Sequence, residues 1–319
     1  MKTKTISIDQ IIDRIPAWSG ASPVVTPLVG GLTNQAYRVD VGDESFVVRI
    51  PGQGAEWLAI DRGNELHNTR AAAEAAVCPR VVHHFRDVNV MVLEYVHAET
   101  MSVESMNRPG MPTRLAQILK RLHAGPRFLH DFDMFETTRR YLRIVQELDI
   151  SLPDDYPRAL PEVDRIEAAF ARRPVPTVPC HNDLLAGNIL DDGRRLWLID
   201  FEYSGNNDPT FELGNACQEL EYDEPRVEEM CAAYFGDAHP DKLARMKLNI
   251  VLSDIGWTLW AAIQWKVSTI DFDFWGWVDM RWGRARAALD SPEYRQWLRV
   301  LESAEPLAAA GASTGRGSL

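Results

Sequence analysis

The sequence predicts an α+β protein of two lobes, a small N-terminal lobe of antiparallel sheet plus helix and a larger, mainly helical C-terminal lobe. Three observations predict it. At 319 residues the chain exceeds the usual size of one compact domain. Up to residue 97 it alternates short strand-like runs with glycine-bearing turns around one alanine-rich helix, and from residue 113 helical periodicity takes over. Residues 1–97 and 98–302 are therefore read as two lobes sharing a cleft, and residues 303–319, rich in Ala, Gly and Ser, as a disordered tail.

Ile8, Ile11, Ile12 and Ile15 share one helical face, which predicts a short capping helix over residues 8–15. A turn containing Gly30 and Gly31, followed by Thr33 and Asn34, leads into strand-like sequence to Val39. Gly42-Asp43 then marks a hairpin turn, and residues 45–50 a second strand carrying Arg49. Glycines let a backbone approach phosphate oxygens, and a strand-borne Arg beside them can pair with phosphate. Structural Gly-Gly turns are nevertheless common, so the turn gains meaning only from its place before Arg49. Arg62 to Glu65 open an alanine-rich helix that Pro79 ends. Glu65 is read either as an ion-pair partner of Arg49 or as a helix-start carboxylate favoured by the dipole. Residues 80–85 and 89–95 read as two further strands, placing the backbone of Glu94 and Val96 where a nucleotide base would meet it.

In the second lobe, residues 113–124 form an amphipathic helix with Leu115, Ile118, Leu119 and Leu122 on one face, and residues 137–148 and 161–172 form two more. His123 and His130 lie outside any motif and read as packing or surface histidines. The chemistry is concentrated in residues 181–190, where His181, Asp183 and Asn188 stand in the spacing His-x-Asp-x4-Asn. A hydrophobic strand then delivers Asp200, with Glu202 and Tyr203 just beyond. This spacing is that of phosphoryl transfer: Asp183 orients the attacking hydroxyl, Asn188 and Asp200 hold Mg²⁺, and His181 supports the loop. Magnesium needs hard oxygen donors and keeps substrate phosphates and water in its shell, so one carboxylate and one amide suffice.

These residues resemble the choline/ethanolamine kinases within the aminoglycoside phosphotransferase group. The resemblance runs through residues 30–34, 48–49, Glu65, 181–190, 199–203, 211–215 and 257–272. It implies a bilobal protein-kinase-like fold, ATP as co-substrate, and a nucleotide side built from Gly30, Gly31, Thr33, Asn34, Arg49, Glu65, Glu94 and Val96. It also implies an acceptor pocket in which Trp257, Trp260, Tyr203 and Trp277 face an amino alcohol. Trp257 and Trp260 stand at i and i+3 on one helix face, and aromatic faces attract quaternary ammonium groups. A primary ammonium instead donates hydrogen bonds and wants carboxylates, for which Glu202, Glu219 and Asp271 are candidates. Choline is the expected acceptor, with ethanolamine, an aminoglycoside or another small metabolite as alternatives. A catalytically silent quaternary-amine-binding module would have a degraded motif, and Asp183, Asn188 and Asp200 are all present.

Composition excludes other classes. Hydrophobic residues at 45% and charged residues at 25% are ordinary for a globular protein. A net charge of −12 argues against nucleic acid or an anionic membrane as partner. No apolar run reaches membrane-spanning length and the first residues lack a signal-peptide core, so the expected location is the cytoplasm. Cys78, Cys180, Cys217 and Cys231 have no zinc spacing and read as reduced, packed thiols. Monomer and homodimer both remain open.

Overall fold

The computed structural model describes residues 6–18, 20–28, 34–52, 57, 58 and 60–303. Gly30, Gly31 and Thr33 of the expected phosphate turn, and the tail beyond residue 303, lie outside these. Helix α1 (Ile8–Ile12) starts at a Ser7/Gln10 capping box. It is shorter than the isoleucine pattern implied, because Pro16 disfavours helical backbone at Ile15. Ile11 and Ile15 are buried all the same, together with Trp18, against the first sheet.

That sheet is antiparallel, in the order β1-β2-β3-β5-β4. Its strands are β1 (Val24–Leu28), β2 (Asn34–Val41), β3 (Glu44–Pro51), β4 (Val81–Phe85) and β5 (Val90–Glu94). Gly42, at φ 61°, makes the β2–β3 turn in the backbone region glycine tolerates best. Between β3 and β4 runs α2 (Arg62–Glu74), whose N-cap Asp61 accepts the backbone N–H groups of Gly63 and Asn64.

Beyond β5 the chain passes through β6 (Glu99–Thr100), α3 (Val103–Met106), α4 (Met111–His123), α5 (Met134–Glu147) and α6 (Leu160–Ala171). Four short strands then frame the motif loop: β7 (Val178–Cys180), β8 (Ile189–Asp191), β9 (Leu196–Leu198) and β10 (Gly205–Asn207). They form two small sheets, β6-β8-β9 and β10-β7. The remainder is helical: α7 (Pro209–Glu219), α8 (Glu224–Phe235), α9 (Pro240–Val267), α10 (Phe274–Asp290) and α11 (Pro292–Ser303).

Helix α9 is the axis of this part, with α5, α7, α10 and α11 packed around it. Nearly every residue from Ala244 to Gln264 is buried, as expected of a helix covered on all sides. Gly214 lets α7 approach closely, since a Cβ there would stand 2.6 Å from the Met246 carbonyl of α9. Among the described residues no helix is long and apolar enough to cross a membrane. All four cysteines are free and buried, as their spacing suggested.

Candidate active site

A cavity of about 570 Å³ runs between the two parts of the molecule. On the sheet side it is bordered by Val47, Met91 and Leu93, and on the helical side by Trp257, Trp260 and Trp277. Asp183, Asn188, Asp200 and Glu202 line the same space.

The motif loop connects β7 to β8 and ends in a 3-10 turn over Ala186–Asn188. Pairing of Ile189 with Leu198 continues as a 3.0 Å bond from the Ile199 N–H to the Asn188 carbonyl, so Asn188 and Asp200 emerge side by side. His181 fastens the two. Burial lowers its affinity for a proton, which favours the neutral ring. Its Nε2–H then donates to the Ile199 carbonyl at 2.8 Å while Nδ1 accepts the Asp183 N–H at 3.3 Å. Both ring nitrogens of the histidine are thus engaged by backbone of the two segments. The Asn188 amide donates to the Asp183 carbonyl at 2.9 Å and to its carboxylate at 3.3 Å.

From behind, α7 clamps the loop. The Glu212 carboxylate, fully buried, accepts the backbone N–H groups of His181 and Asn182 at 2.8 and 3.0 Å and pairs with His123 Nε2 at 2.7 Å. His123, expected to be a packing residue, is thus a partner of the loop anchor, with Tyr234 on its other nitrogen at 2.7 Å.

Among the described residues, Asp183, Asp200, Glu202 and Glu219 bring carboxylates to the cavity. The Asp183 carboxyl is held well above the usual range by burial, then by the negative charges of Asp200, Glu219 and Glu202. Burial raises Asp200 and Glu202 too, against the attraction of Arg49. Arg49 reaches across from β3 to Glu65 and Asp200, and lies 3.3 Å from Glu202. Of the two readings of Glu65, the ion pair with Arg49 is the one formed. Arg62 adds a second cation, at 2.8 Å from Glu65 and 3.3 Å from Glu202, and Asn34 donates to Glu202 at 3.0 Å.

Glu94 and Val96 border the cavity, but the Glu94 carboxylate turns outward to Arg80, so only its backbone is offered inside. Asp271 is exposed on the turn between α9 and α10. Glu219 lines the cavity with both oxygens engaged by Arg281, at 2.7 and 3.0 Å. Around that pair stand Trp277, 4.9 Å beneath the guanidinium, and Trp260, whose indole donates to the Tyr203 hydroxyl at 2.7 Å. Trp257 stacks edge-on to Tyr203 at 5.3 Å, and Phe272 to Trp277 at 5.0 Å.

Arg62, Arg281, Phe272 and the clamping role of Glu212 escaped the sequence reading. Glu212 and Phe272 stood inside stretches already singled out, and Arg281 follows Trp277 by four residues, one turn along the same helix face.

Fold and site together define a phosphotransferase of the kinase-like class, ATP-using and acting on an alcohol. The chain matches the phosphotransferase enzyme family (APH) over residues 24–248. A choline/ethanolamine kinase family protein from Mesorhizobium loti superposes with a TM-score of 0.82 at 34% identity, covering 93% of this chain and 99% of that one. Choline kinase LicA from Streptococcus pneumoniae shares the fold, with a TM-score of 0.72 at 24% identity over 93% and 99% of the two chains. Ethanolamine kinase 2 of Mus musculus is 27% identical over 81% of this chain and 74% of its own. The chain belongs to the choline/ethanolamine kinase family of these phosphotransferases.

Proposed function

We propose that the protein transfers the γ-phosphoryl group of magnesium-ATP to the hydroxyl of choline, giving phosphocholine. The observation that carries the choice of acceptor is the engagement of Glu219. Both its oxygens are taken by Arg281, while the rest of that end of the cavity is aromatic. A primary ammonium needs acceptors for its N–H groups, and the two candidate carboxylates that line the cavity, Glu219 and Glu202, are engaged by guanidinium partners. A trimethylammonium group donates nothing and is held by ring faces, each worth on the order of 1–2 kcal/mol when desolvated. Trp257, Trp260, Trp277 and Tyr203 supply such faces.

The lobe of residues 1–97 holds the nucleotide and that of residues 98–302 holds the acceptor. Val47, Met91 and Leu93 pack the base, the backbone of Glu94 and Val96 meets its edge, and Arg49, fixed by Glu65, faces the phosphates. The family resemblance assigns Gly30, Gly31, Thr33 and Asn34 to the nucleotide as well. Asp183 accepts or orients the hydroxyl proton, and its raised proton affinity makes it a better acceptor than an exposed aspartate. The donor set fits magnesium: Asp200 and the Asn188 amide are hard oxygen ligands, and the crowding of carboxylates around them favours a cation. Bound there, magnesium would neutralise charge on the transferred phosphoryl group.

Initial rates of ADP release over choline, ethanolamine, their N-methylated intermediates and several aminoglycosides test the proposal. Choline should have the highest kcat/KM, rising with each methyl group. A higher value for ethanolamine or for any aminoglycoside would sink it.

A further inference from the structure

The wall of the acceptor pocket and the catalytic loop meet in one buried side chain that neither touches substrate nor belongs to the motif. Asn215 of α7 is 1% exposed. Its Oδ1 accepts the Trp257 indole N–H at 3.0 Å and the Ser253 hydroxyl at 2.6 Å. Because an indole nitrogen can only donate, that contact fixes the orientation of the amide. Nδ2 then points to the Asn182 carbonyl at 3.3 Å, the oxygen of the peptide bond that leads into Asp183.

Asn182 is a residue whose backbone would not hold its shape unaided. Its φ is 66°, in the left-handed region that costs a non-glycine residue energy and persists only where surroundings over-determine it. Four neighbours supply that support: Glu212 takes its N–H, Asn215 its carbonyl, and the Tyr203 carbonyl and Asn207 amide its side chain at 3.1 and 3.0 Å. Glu212 and Asn215, three residues apart on one helix, therefore grip the two sides of the same residue. The Glu212 grip leads back to His123 and Tyr234. The Asn215 grip leads to Trp257, which lines the cavity.

We infer that Asn215 is a positioning residue that couples the acceptor wall to the catalytic aspartate, so that the seating of Trp257 sets the plane of the 182–183 peptide and with it the aim of Asp183. This rests on the reading of Trp257 as acceptor wall. Small errors of aim at a reacting group are costly, up to about a hundredfold in rate for about 1 Å. The coupling therefore acts on turnover more than on nucleotide binding.

A double-mutant cycle on the full chain, with choline and ATP, tests it. Asn215→Ser removes the three hydrogen bonds of the amide, and Trp257→Phe keeps the aromatic wall but removes the indole N–H. Each single variant should lower kcat, by about tenfold and about fivefold, with the KM for ATP within about twofold of wild type. The double variant should be no worse than Asn215→Ser within about twofold. Effects that multiply, or an Asn215→Ser protein that melts earlier yet turns over at the wild-type rate, overturn the coupling. Should Asn215→Ser fail to fold, Ser253→Ala, which removes only one partner of the same Oδ1, replaces it in the cycle. The expectation is then about threefold alone and again no multiplication. Trp257→Ala separates the two readings. An unchanged choline KM overturns the acceptor wall and the coupling together, whereas a raised choline KM with a multiplicative cycle overturns the coupling alone.

Discussion

Arg281→Met should turn the acceptor preference toward ethanolamine. Arg281 and Glu219 are 4% and 7% exposed at their side chains and meet through two hydrogen bonds, with Asp254 a further 3.8 Å from the guanidinium. Methionine keeps the aliphatic bulk beside Trp277 and removes the charge. Glu219 is then a buried carboxylate without its partner, a state that costs about 3–5 kcal/mol when one member of a buried pair is removed. A ligand that brings N–H donors and a positive charge recovers part of that. If an ammonium recovers about 2 kcal/mol more than a trimethylammonium, the ratio of kcat/KM values, ethanolamine over choline, rises about 30-fold. The assay is steady-state ADP release with both acceptors at saturating ATP. A parallel fall with the two acceptors, leaving their ratio within about threefold of wild type while the ATP KM is unchanged, would refute the idea that Arg281 withholds Glu219 from the acceptor.

Asp183→Asn should lower kcat by about 10²–10⁴, the usual worth of a positioned proton acceptor, with the KM for ATP within about twofold. Near-wild-type turnover would remove Asp183 from its role. Chelation of divalent cations should abolish phosphoryl transfer and added Mg²⁺ restore it; turnover that persists in excess chelator contradicts the assignment of Asn188 and Asp200. The pH dependence of stability gives a further check away from the nucleotide. Asp254 is pushed up to about 6 by burial, which outweighs the attraction of Arg284 and Arg281. A carboxyl raised in the folded state destabilises the fold as pH climbs from its unfolded value, about 4, to its folded one, and the penalty is complete above that. Denaturant melts of Asp254→Asn should therefore lose less stability between pH 4 and 6 than wild type. Parallel profiles would show that Asp254 is not raised.

What could be read in advance follows the range of the interaction that decides each feature. Helices α4 and α5 each have one buried face and one wet one, so Leu115, Leu119 and Leu122 announce the pattern and the elements lie within three residues of expectation. The hairpin at Gly42 is decided by the turn itself, and it too was legible. Helix α9 was harder: buried on all sides for some twenty residues, it has no polar face to give it periodicity, and only its tryptophans drew notice. At the site the same division holds. His181, Asp183, Asn188 and Asp200 are close in sequence because a loop and the strand beside it build that geometry, so spacing alone exposes them. Arg49 and Glu65 needed a family pattern, being 16 residues apart on a strand and a helix.

Arg281 and Glu219 are 62 residues apart; Glu219 stands out in sequence as a candidate carboxylate for an ammonium, but Arg281 looks like an ordinary charge on a helix surface. Their meaning comes from being buried together beside an aromatic wall, a fact of packing among α7, α9 and α10 that no local pattern encodes. The same holds for Asn215, one amide among many until α7 comes close enough at Gly214 to lay it against Ser253 and Trp257. Reaction type is thus written in a short stretch of chain, while the proposed acceptor pocket is assembled across three helices. In such a fold, substitutions that exchange acceptors should fall on the packed faces of α7, α9 and α10 and leave the loop of Asp183 alone.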